Sequence, residues 1–506
     1  PKGLLIDYAP NAIDAIELER VRLPKLPSSR ITMGGGNYAS SLLQVALSAP
    51  RSSRQAWGLN AYHNGSQSGV RTAATSLDRQ PHYDNGFKGH FQYASKDYTF
   101  TTQLAANANY RTFYGTLDSL TARLDSLPST WNTKVAVSQH WVNTGRRKSQ
   151  SKASYHSGAL TLDLGQLGLG AREQRAGTRH RMQLEAGKGT PVLLDVGYQL
   201  SRYDAGSALI GSTRTLGDSA TNYHHFFFEP RTSGKKGLFT YSFGLNFAAT
   251  AAPLDSSAFQ FYIFPDVVLQ AELLKHILAI YGGWTGRSEQ QSLNALHLEN
   301  PWISAPSALY LSGENKGYAG MQGALVGAVQ YRVEASLNFY NNAVHFLRDS
   351  TQSMETLGTK NLALLQVGYT NYVRSAVRAE LNIPIELFSA SAYMELSTYS
   401  GNNDFVGQEA RVFGGRLRYD WQALTATTDL KYVGGRMKGD AYRGEQWLGN
   451  FDLEDYLDWN LEVRYGINEN LDASLRVSNL LNQNYQLWSG YTVRGTRALV
   501  ALNYQF

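Results

Sequence analysis

Residues that could carry covalent chemistry are few and scattered in this chain. His140, His156 and His180 stand in stretches that also hold serines and acids, the residue types of a nucleophilic triad. A triad is defined by geometry across a fold, and nothing in the local spacing joins these histidines to one serine and one acid. There is no Gly-x-Ser-x-Gly elbow, no His-Glu-x-x-His pair, and no glycine loop ending in Gly-Lys-Ser/Thr. The usual motifs for acyl transfer, zinc hydrolysis and phosphate binding are therefore missing. His224 and His225 are adjacent. On a strand they point to opposite faces and cannot share a metal ion. Asp452, Glu454 and Asp455 form a short acidic group without the ligand spacing of a calcium loop, and read as a solvated rim. Cysteine is absent, which removes thiolate metal sites and disulfides. The expectation is a protein that is not an enzyme, with no cofactor and no metal.

What the sequence does offer is charge set at alternate positions. Arg332 and Glu334 follow this rule, as do Arg416, Arg418 and Asp420, and Asp429 and Lys431. So do Asp458, Glu462 and Arg464, then Asp472 and Arg476, and finally Arg497 in the last stretch. Such residues could bind a plug, a partner chain or a passing solute. They could equally pair across neighbouring strands and hold a wet lumen open, which needs no second molecule.

The elements that must position these charges are strands. Phe239, Tyr241, Phe243, Leu245 and Phe247 alternate with Thr240, Ser242, Gly244 and Asn246. Tyr331, Val333, Ala335, Leu337 and Phe339 enclose Arg332, Glu334, Ser336 and Asn338, and Leu457 to Tyr465 repeats the pattern. A period of two marks a strand with one greasy face and one polar face. No apolar run approaches the roughly 18 residues of a membrane helix. The best candidate, Leu273 to Trp284, is interrupted by Lys275 and His276. Net charge is +6 and is spread along the chain, so no basic face for nucleic acid is built. Arg146, Arg147 and Lys148 read as a solvated loop.

A soluble sandwich with this many strands would need a second sheet over every apolar face, and linkers between its units. No such linker divides the chain. A membrane barrel needs neither, because lipid covers the apolar face and water the polar one. The expected fold is all-β, a transmembrane antiparallel β-barrel of about 22 strands with short periplasmic turns and long extracellular loops. Short turns are expected at Pro50–Arg54, Ser95–Asp97, Ser233–Lys236 and Asn468–Asn470. Long loops are expected near 66–83, 112–130, 204–220, 288–315, 347–360 and 439–450. Trp131, Trp141, Trp421 and Tyr432 suit interfacial girdles. Pro265 implies a bulge or a break in its ladder. Residues 1–29, with Pro10, Pro24 and Pro27, form an extended periplasmic or lumenal lead-in, and residues 30–506 form the barrel.

The closing stretch carries a family resemblance. Asn479-Leu480-Leu481-Asn482-Gln483-Asn484-Tyr485 is followed by Trp488, Gly490-Tyr491 and Arg494-Gly495, then a final strand ending in Phe506. In that strand Ala498, Val500, Leu502, Tyr504 and Phe506 share one face. This resembles the end of TonB-dependent receptors, whose final strand is the signal read by the outer-membrane assembly machinery. By that resemblance the signal residues here are Tyr504 and Phe506. Leu26-Pro27 and the run Ile31 to Tyr38 resemble the first barrel hairpin of such receptors, with Trp57 to Tyr62 as the third strand. Ala319 to Phe339 is similar to barrel strands of Bacteroidota proteins of this type. The resemblance covers residue 30 to the end. It implies an integral protein of the bacterial outer membrane, surrounded by its lipid.

The family's plug domain and a TonB box in residues 1–12 are both missing from the sequence. The expectation is a plugless barrel, acting as a structural or channel subunit of an outer-membrane complex for uptake, secretion or outer-membrane-protein assembly. Its partners would be other outer-membrane or surface-exposed subunits, with the lumen filled by inward-folded loops, the N-terminal segment or another chain. The alternatives are a TonB-dependent importer of a large solute whose plug lies elsewhere, and an enzymatic barrel.

Overall fold

The computed structural model describes residues 29–506, apart from 50–53, 71–79, 115–128, 144–152, 167–169, 187–189, 206–219, 252–259, 307, 326–328, 349–364, 402–407, 437–438, 444–445 and 452. The lead-in, Arg146 to Lys148 and Asp452 thus lie outside the described residues.

Strands dominate. The first nine are β1 (Ser29–Gly36), β2 (Ser40–Ser48), β3 (Gln55–Ser66), β4 (His82–Ala94), β5 (Tyr98–Thr112), β6 (Ser129–Asn143), β7 (Ala153–Gln166), β8 (Arg172–Ala186) and β9 (Thr190–Asp204). Next come β10 (Thr221–Lys236), β11 (Phe239–Ala251), β12 (Gln260–Leu274), β13 (Leu278–Gln290), the single helix α1 (Leu293–Glu299), β14 (Leu311–Ala324) and β15 (Gln330–Arg348). Then follow β16 (Leu365–Pro384), β17 (Phe388–Gly401), β18 (Glu409–Trp421), β19 (Leu424–Arg436), β20 (Gly439–Arg443) and β21 (Gln446–Phe451). The last are β22 (Tyr456–Gly466), β23 (Leu471–Ser478), β24 (Gln486–Trp488), β25 (Tyr491–Thr492) and β26 (Arg497–Gln505).

Twenty-two of these form one antiparallel sheet that closes on itself through β1 and β26. The pairs β20–β21 and β24–β25 are small hairpins within loops. Closure leaves no sheet edge to satisfy, which is why strands can cross a membrane this way. No described helix is long and apolar enough to cross.

Partners directly opposite in an antiparallel pair share a face. The β15 residues Tyr331, Val333 and Leu337 thus align with Leu381, Ala379 and Ser375 of β16, and the outward residues form a continuous apolar band. Met33, Phe261 and Ile263 on this band are 59%, 77% and 65% exposed, an apolar surface fit for lipid and not for water. Trp131 and Trp421 stand on it near opposite rims.

Ser29 and Phe506 stand at one rim, where the described connections are short, as at Ser95–Asp97 and Asn468–Asn470. At the opposite rim the described connection 291–310 is long. The turn expected at Pro50–Arg54 and the loops expected near 66–83, 112–130, 204–220 and 347–360 fall largely outside the described residues. One turn differs from expectation. Ser233–Lys236 belongs to β10, and the chain reverses at Gly237–Leu238, where Gly237 takes φ +60. The polar run there is the end of the strand, and glycine meets the turn's positive φ without a Cβ penalty.

Pro265 acts on one side only. Leu245 pairs with Pro265 in an unbroken β11–β12 register. The β12–β13 ladder, however, stops at Asp266–Thr285, one residue past the proline. A ring without an N–H cannot donate to that side, and the strands part there.

Candidate functional site

The inner wall is lined by the alternate charges. Arg416 and Arg418 of β18 share the inward face with Asp429 and Lys431 of β19, which in turn face Asn460 and Asp458 of β22. Glu462 faces Arg476 of β23, and Ser478 faces Arg497 of β26. Arg332 and Glu334 face Glu380 and Arg378. The sequence-derived lumenal candidates therefore all stand on one face, opposite the apolar band.

Most of them pair. Arg416 Nε donates to Asp429 at 2.5 Å, and Arg418 Nε to Asp420 at 2.6 Å. Arg476 donates twice to Glu462, with Arg464 3.5 Å from the same carboxylate and 3.8 Å from Asp472. Glu334 accepts from Arg332 at 2.8 Å and from Lys316 at 2.7 Å. Lys431 lies 3.8 Å from Glu409. Asp458 accepts from the Asn460 amide at 2.8 Å. Exposed pairs like these add little stability individually, but they leave few free charges along this wall. Arg497 is different. Its guanidinium donates to Ser40 Oγ, Asn64 Oδ1 and the Gly65 carbonyl, and among the described residues it has no carboxylate partner.

The long-loop mouth is where side chains converge. Residues 291–310 fold inward as a cap built on α1. Ser292 accepts from Ala295 N at 3.1 Å and starts the helix, and Asn300-Pro301 ends it. Leu293 and Leu296, one helical turn apart, are each 1% exposed. They pack with Ile303 and Leu309 of the cap, Tyr203 and Tyr223 of the inner wall, Phe346 and Leu365 at the tops of β15 and β16, and Tyr114 and Tyr491 from two other loops. Trp302 stacks on Tyr491 at 4.4 Å between centroids.

Hydrogen bonds fix the cap to the wall. Tyr203 Oη donates to the Pro306 carbonyl at 2.5 Å, and Leu309 N donates to Tyr223 Oη at 3.1 Å. Trp302 Nε1 reaches the Thr112 carbonyl at 3.3 Å. The buried Glu173 of β8 accepts from the backbone N–H and side-chain amide of Asn294, both at 3.4 Å. The amide of Asn132 on β6 donates to His297 Nε2.

Burial, helped by the nearby Arg111 guanidinium, pushes the His297 imidazole down to about 3 from its usual 6.5. A folded value below the unfolded one means the neutral ring stabilises the cap fully above pH 6.5. That contribution falls as pH drops below 6.5, by about 2 kcal/mol at pH 5. Proteolysis within 291–310 is expected to be faster at pH 5 than at pH 8 in the wild type, and alike at both pH values in His297→Gln. Equal rates at both pH values in the wild type would reject this.

The other candidates are placed apart. His140 lies on the inner face of β6. His156 and His180 stack on the outer face, centroids 5.9 Å apart, beside Trp141. His224 faces outward and meets Tyr198 Oη at 2.8 Å, while His225 is buried on the inner face. Among the described residues, no serine and acid are hydrogen-bonded to one of them. Asp455 accepts from Tyr432 Oη at 2.7 Å and from Gly435 N at 2.8 Å. The hydrogen bond from Tyr432 holds its carboxyl below the usual range, as expected of a carboxylate that ties a loop to a strand. Tyr504 and Phe506 stand on the outer face, 49% and 50% exposed, with rings 5.8 Å apart.

Sequence reasoning allowed for inward-folded loops but did not identify residues 291–310 or their helix as one. A signal was present in Ser292, Leu293, Leu296 and Asn300-Pro301, a capped apolar turn inside a polar connection.

No family model matches the chain. Solved structures do. The FrpB iron transporter of Neisseria meningitidis superposes with a TM-score of 0.72 at 11% identity, over 96% of this chain and 82% of that one. The siderophore receptor PirA of Acinetobacter baumannii gives 0.70 at 13% identity, over 94% and 80%. The ferripyoverdine receptor of the Pseudomonas aeruginosa outer membrane gives 0.66 at 10% identity, over 95% and 72%. The chain shares their fold, a closed 22-stranded antiparallel barrel.

Proposed function

We propose that this chain is the transmembrane barrel of an importer that carries a solute too large for general pores, in the class of iron chelates. The observation that carries this reading is the capped mouth. A barrel of this size encloses a wide lumen. Here the mouth is narrowed by a dedicated inward loop, as a gated path requires and an open pore does not. The similar structures include an iron transporter and two siderophore receptors, and one receptor, FpvAI, is a complex with pyocin S2. Deleting the gene is expected to abolish growth on one iron chelate while leaving growth on ferrous salt unchanged. The phenotype should be reproduced by removing the cell's TonB-type energy coupling. Growth on every chelate tested, in both mutants, would reject the proposal.

The self-paired wall favours a second reading, a channel or structural subunit of an outer-membrane complex. A lumen whose charges already pair needs no plug to balance them. Native extraction in mild detergent would then retain stoichiometric partner subunits, and extraction as a lone monomer would argue against it.

Tyr504 and Phe506 fit the role of an assembly signal, because an aromatic pair at the end of the last strand remains outward and accessible. Phe506→Ala is expected to lower the folded barrel in the outer membrane severalfold without changing its melting temperature once assembled. Unchanged yield would remove that role.

A further inference from the structure

Beneath the cap lies a recess of about 550 Å³ that opens on the lumen. Its charged lining is one-sided. Arg111, Arg476 and Arg497 converge on it, and Asp84 is the lone carboxylate among the lining residues. Asp84 is taken by Arg111 at 2.5 Å, and Arg476 is held by Glu462. Arg497 has only neutral acceptors. Above the recess Arg494 repeats this. It donates to the carbonyls of Ser68 at 3.1 Å and Gln80 at 3.2 Å, and among the described residues it has no carboxylate. Burial holds the Arg494 guanidinium below its usual range, and Arg497 and Arg111 push the same way while Tyr114 and Asp84 oppose them. Elsewhere among the described residues inward arginines pair with acids, as Arg179 with Asp195, Arg231 with Asp266 and Arg374 with Glu395.

Arg497, held by neutral acceptors beside two arginines that are already paired, is a part-buried guanidinium that is costly to keep unless an anion joins it. The planar fork of arginine matches the two oxygens of a carboxylate or a phosphate. Neutral side-chain amides from Asn64 and Asn109 complete the lining and offer donors to further oxygens. Leu298 and Pro301 of the cap line the upper side of the recess.

We infer that this recess is an oxyanion site, which takes a carboxylate- or phosphate-bearing solute between Arg497, Arg476 and Arg111 under the cap. It deepens the import reading by giving the cargo negative charge, and rests on that reading for its purpose. Binding in detergent needs no energy coupling, so its failure and the failure of import are separable.

The test is calorimetry on the purified full chain in detergent and low-chloride buffer, with citrate, inorganic phosphate and neutral glucose as probes. One anion or both should bind, glucose should not, and the preferred anion names the group. Arg497→Gln is expected to weaken binding about tenfold or more, the loss of one charged hydrogen-bonding partner. Arg476→Gln should weaken it as well, Arg497→Lys should retain most of it, and Arg287→Gln on another part of the wall should not change it. A heat-dependent gel shift checks that every variant is folded. If neither anion binds the wild type, or if Arg287→Gln weakens binding as much as Arg497→Gln, the inference is overturned.

Discussion

Leu296→Asp is expected to convert the narrowed barrel into a conducting pore. Leu296 is 1% exposed at the centre of the cap cluster. Removing its contacts forfeits about 2–3 kcal/mol of apolar burial. Placing a carboxylate there adds several kcal/mol more unless the group is hydrated or neutralised. The cap has little to oppose this. It is one short helix, tied by a handful of hydrogen bonds to wall residues that keep their places in the sheet without it. The cheapest relief is for residues 291–310 to leave the mouth and take the aspartate into water. The barrel itself stays closed, because its ladders do not pass through the cap. In planar bilayers the variant should conduct severalfold more than the wild type, and Trp302 should become open to chymotrypsin. Wild-type conductance together with wild-type resistance at Trp302 would show that the cap does not gate the lumen.

Gly36→Ala is expected to prevent most of the chain from closing, whereas Gly35→Ala is tolerated. Gly36 sits where β1 meets β26. A Cβ there would lie 2.0 Å from the Ala498 carbonyl oxygen and 3.0 Å from Leu499 Cα, backbone atoms that cannot swing aside. A Cβ on Gly35 would meet only the Ser40 oxygen, at 3.7 Å. Relief at Gly36 means separating the two strands at their upper end. The hydrogen bonds of Asn37 to Ala498 and Thr496 would go with them. The loss should exceed about 4 kcal/mol, the range reserved for clashes and broken networks. The folded, faster-migrating band on an unheated gel should fall to a minor fraction for Gly36→Ala and stay near wild type for Gly35→Ala. Equal bands for both would show that the seam yields more easily than its geometry implies.

The barrel was legible because its information is local. Alternation at Phe239–Phe247 or Leu457–Tyr465 assigns each residue to a face, and lipid demands the same rule of every strand. The lumenal charges were legible for the same reason, since parity alone puts Arg416 and Asp429 on the inner side. What local pattern cannot supply is the identity of neighbours brought together by different loops. The cap meets Tyr114, Tyr203, Tyr223 and Tyr491, which are far apart in sequence, and only the closed sheet gathers them. The arginine recess was hidden in the same way. Arg111, Arg476 and Arg497 each look like ordinary alternate charges. Arg111 and Arg476 do pair with acids, Asp84 and Glu462, and Arg497 differs because around the β26–β1–β2 seam the neighbouring strands carry Leu499, Gly36 and Ser40 where an acid would stand.

The pairing of β1 with β26 has a temporal consequence. Thr32 donates to Asn503, and Ser29 and Phe506 exchange backbone hydrogen bonds at 3.1 and 3.0 Å. These bonds join residues some 470 positions apart. Hairpins along the chain can form as soon as both their strands exist, but this contact must wait until β26 has been made. Until then the growing sheet carries two raw edges that would pair with any strand they met. The time between synthesis and insertion is therefore the dangerous interval for this protein, and whatever escorts it must shield its first and last strands from every partner except each other.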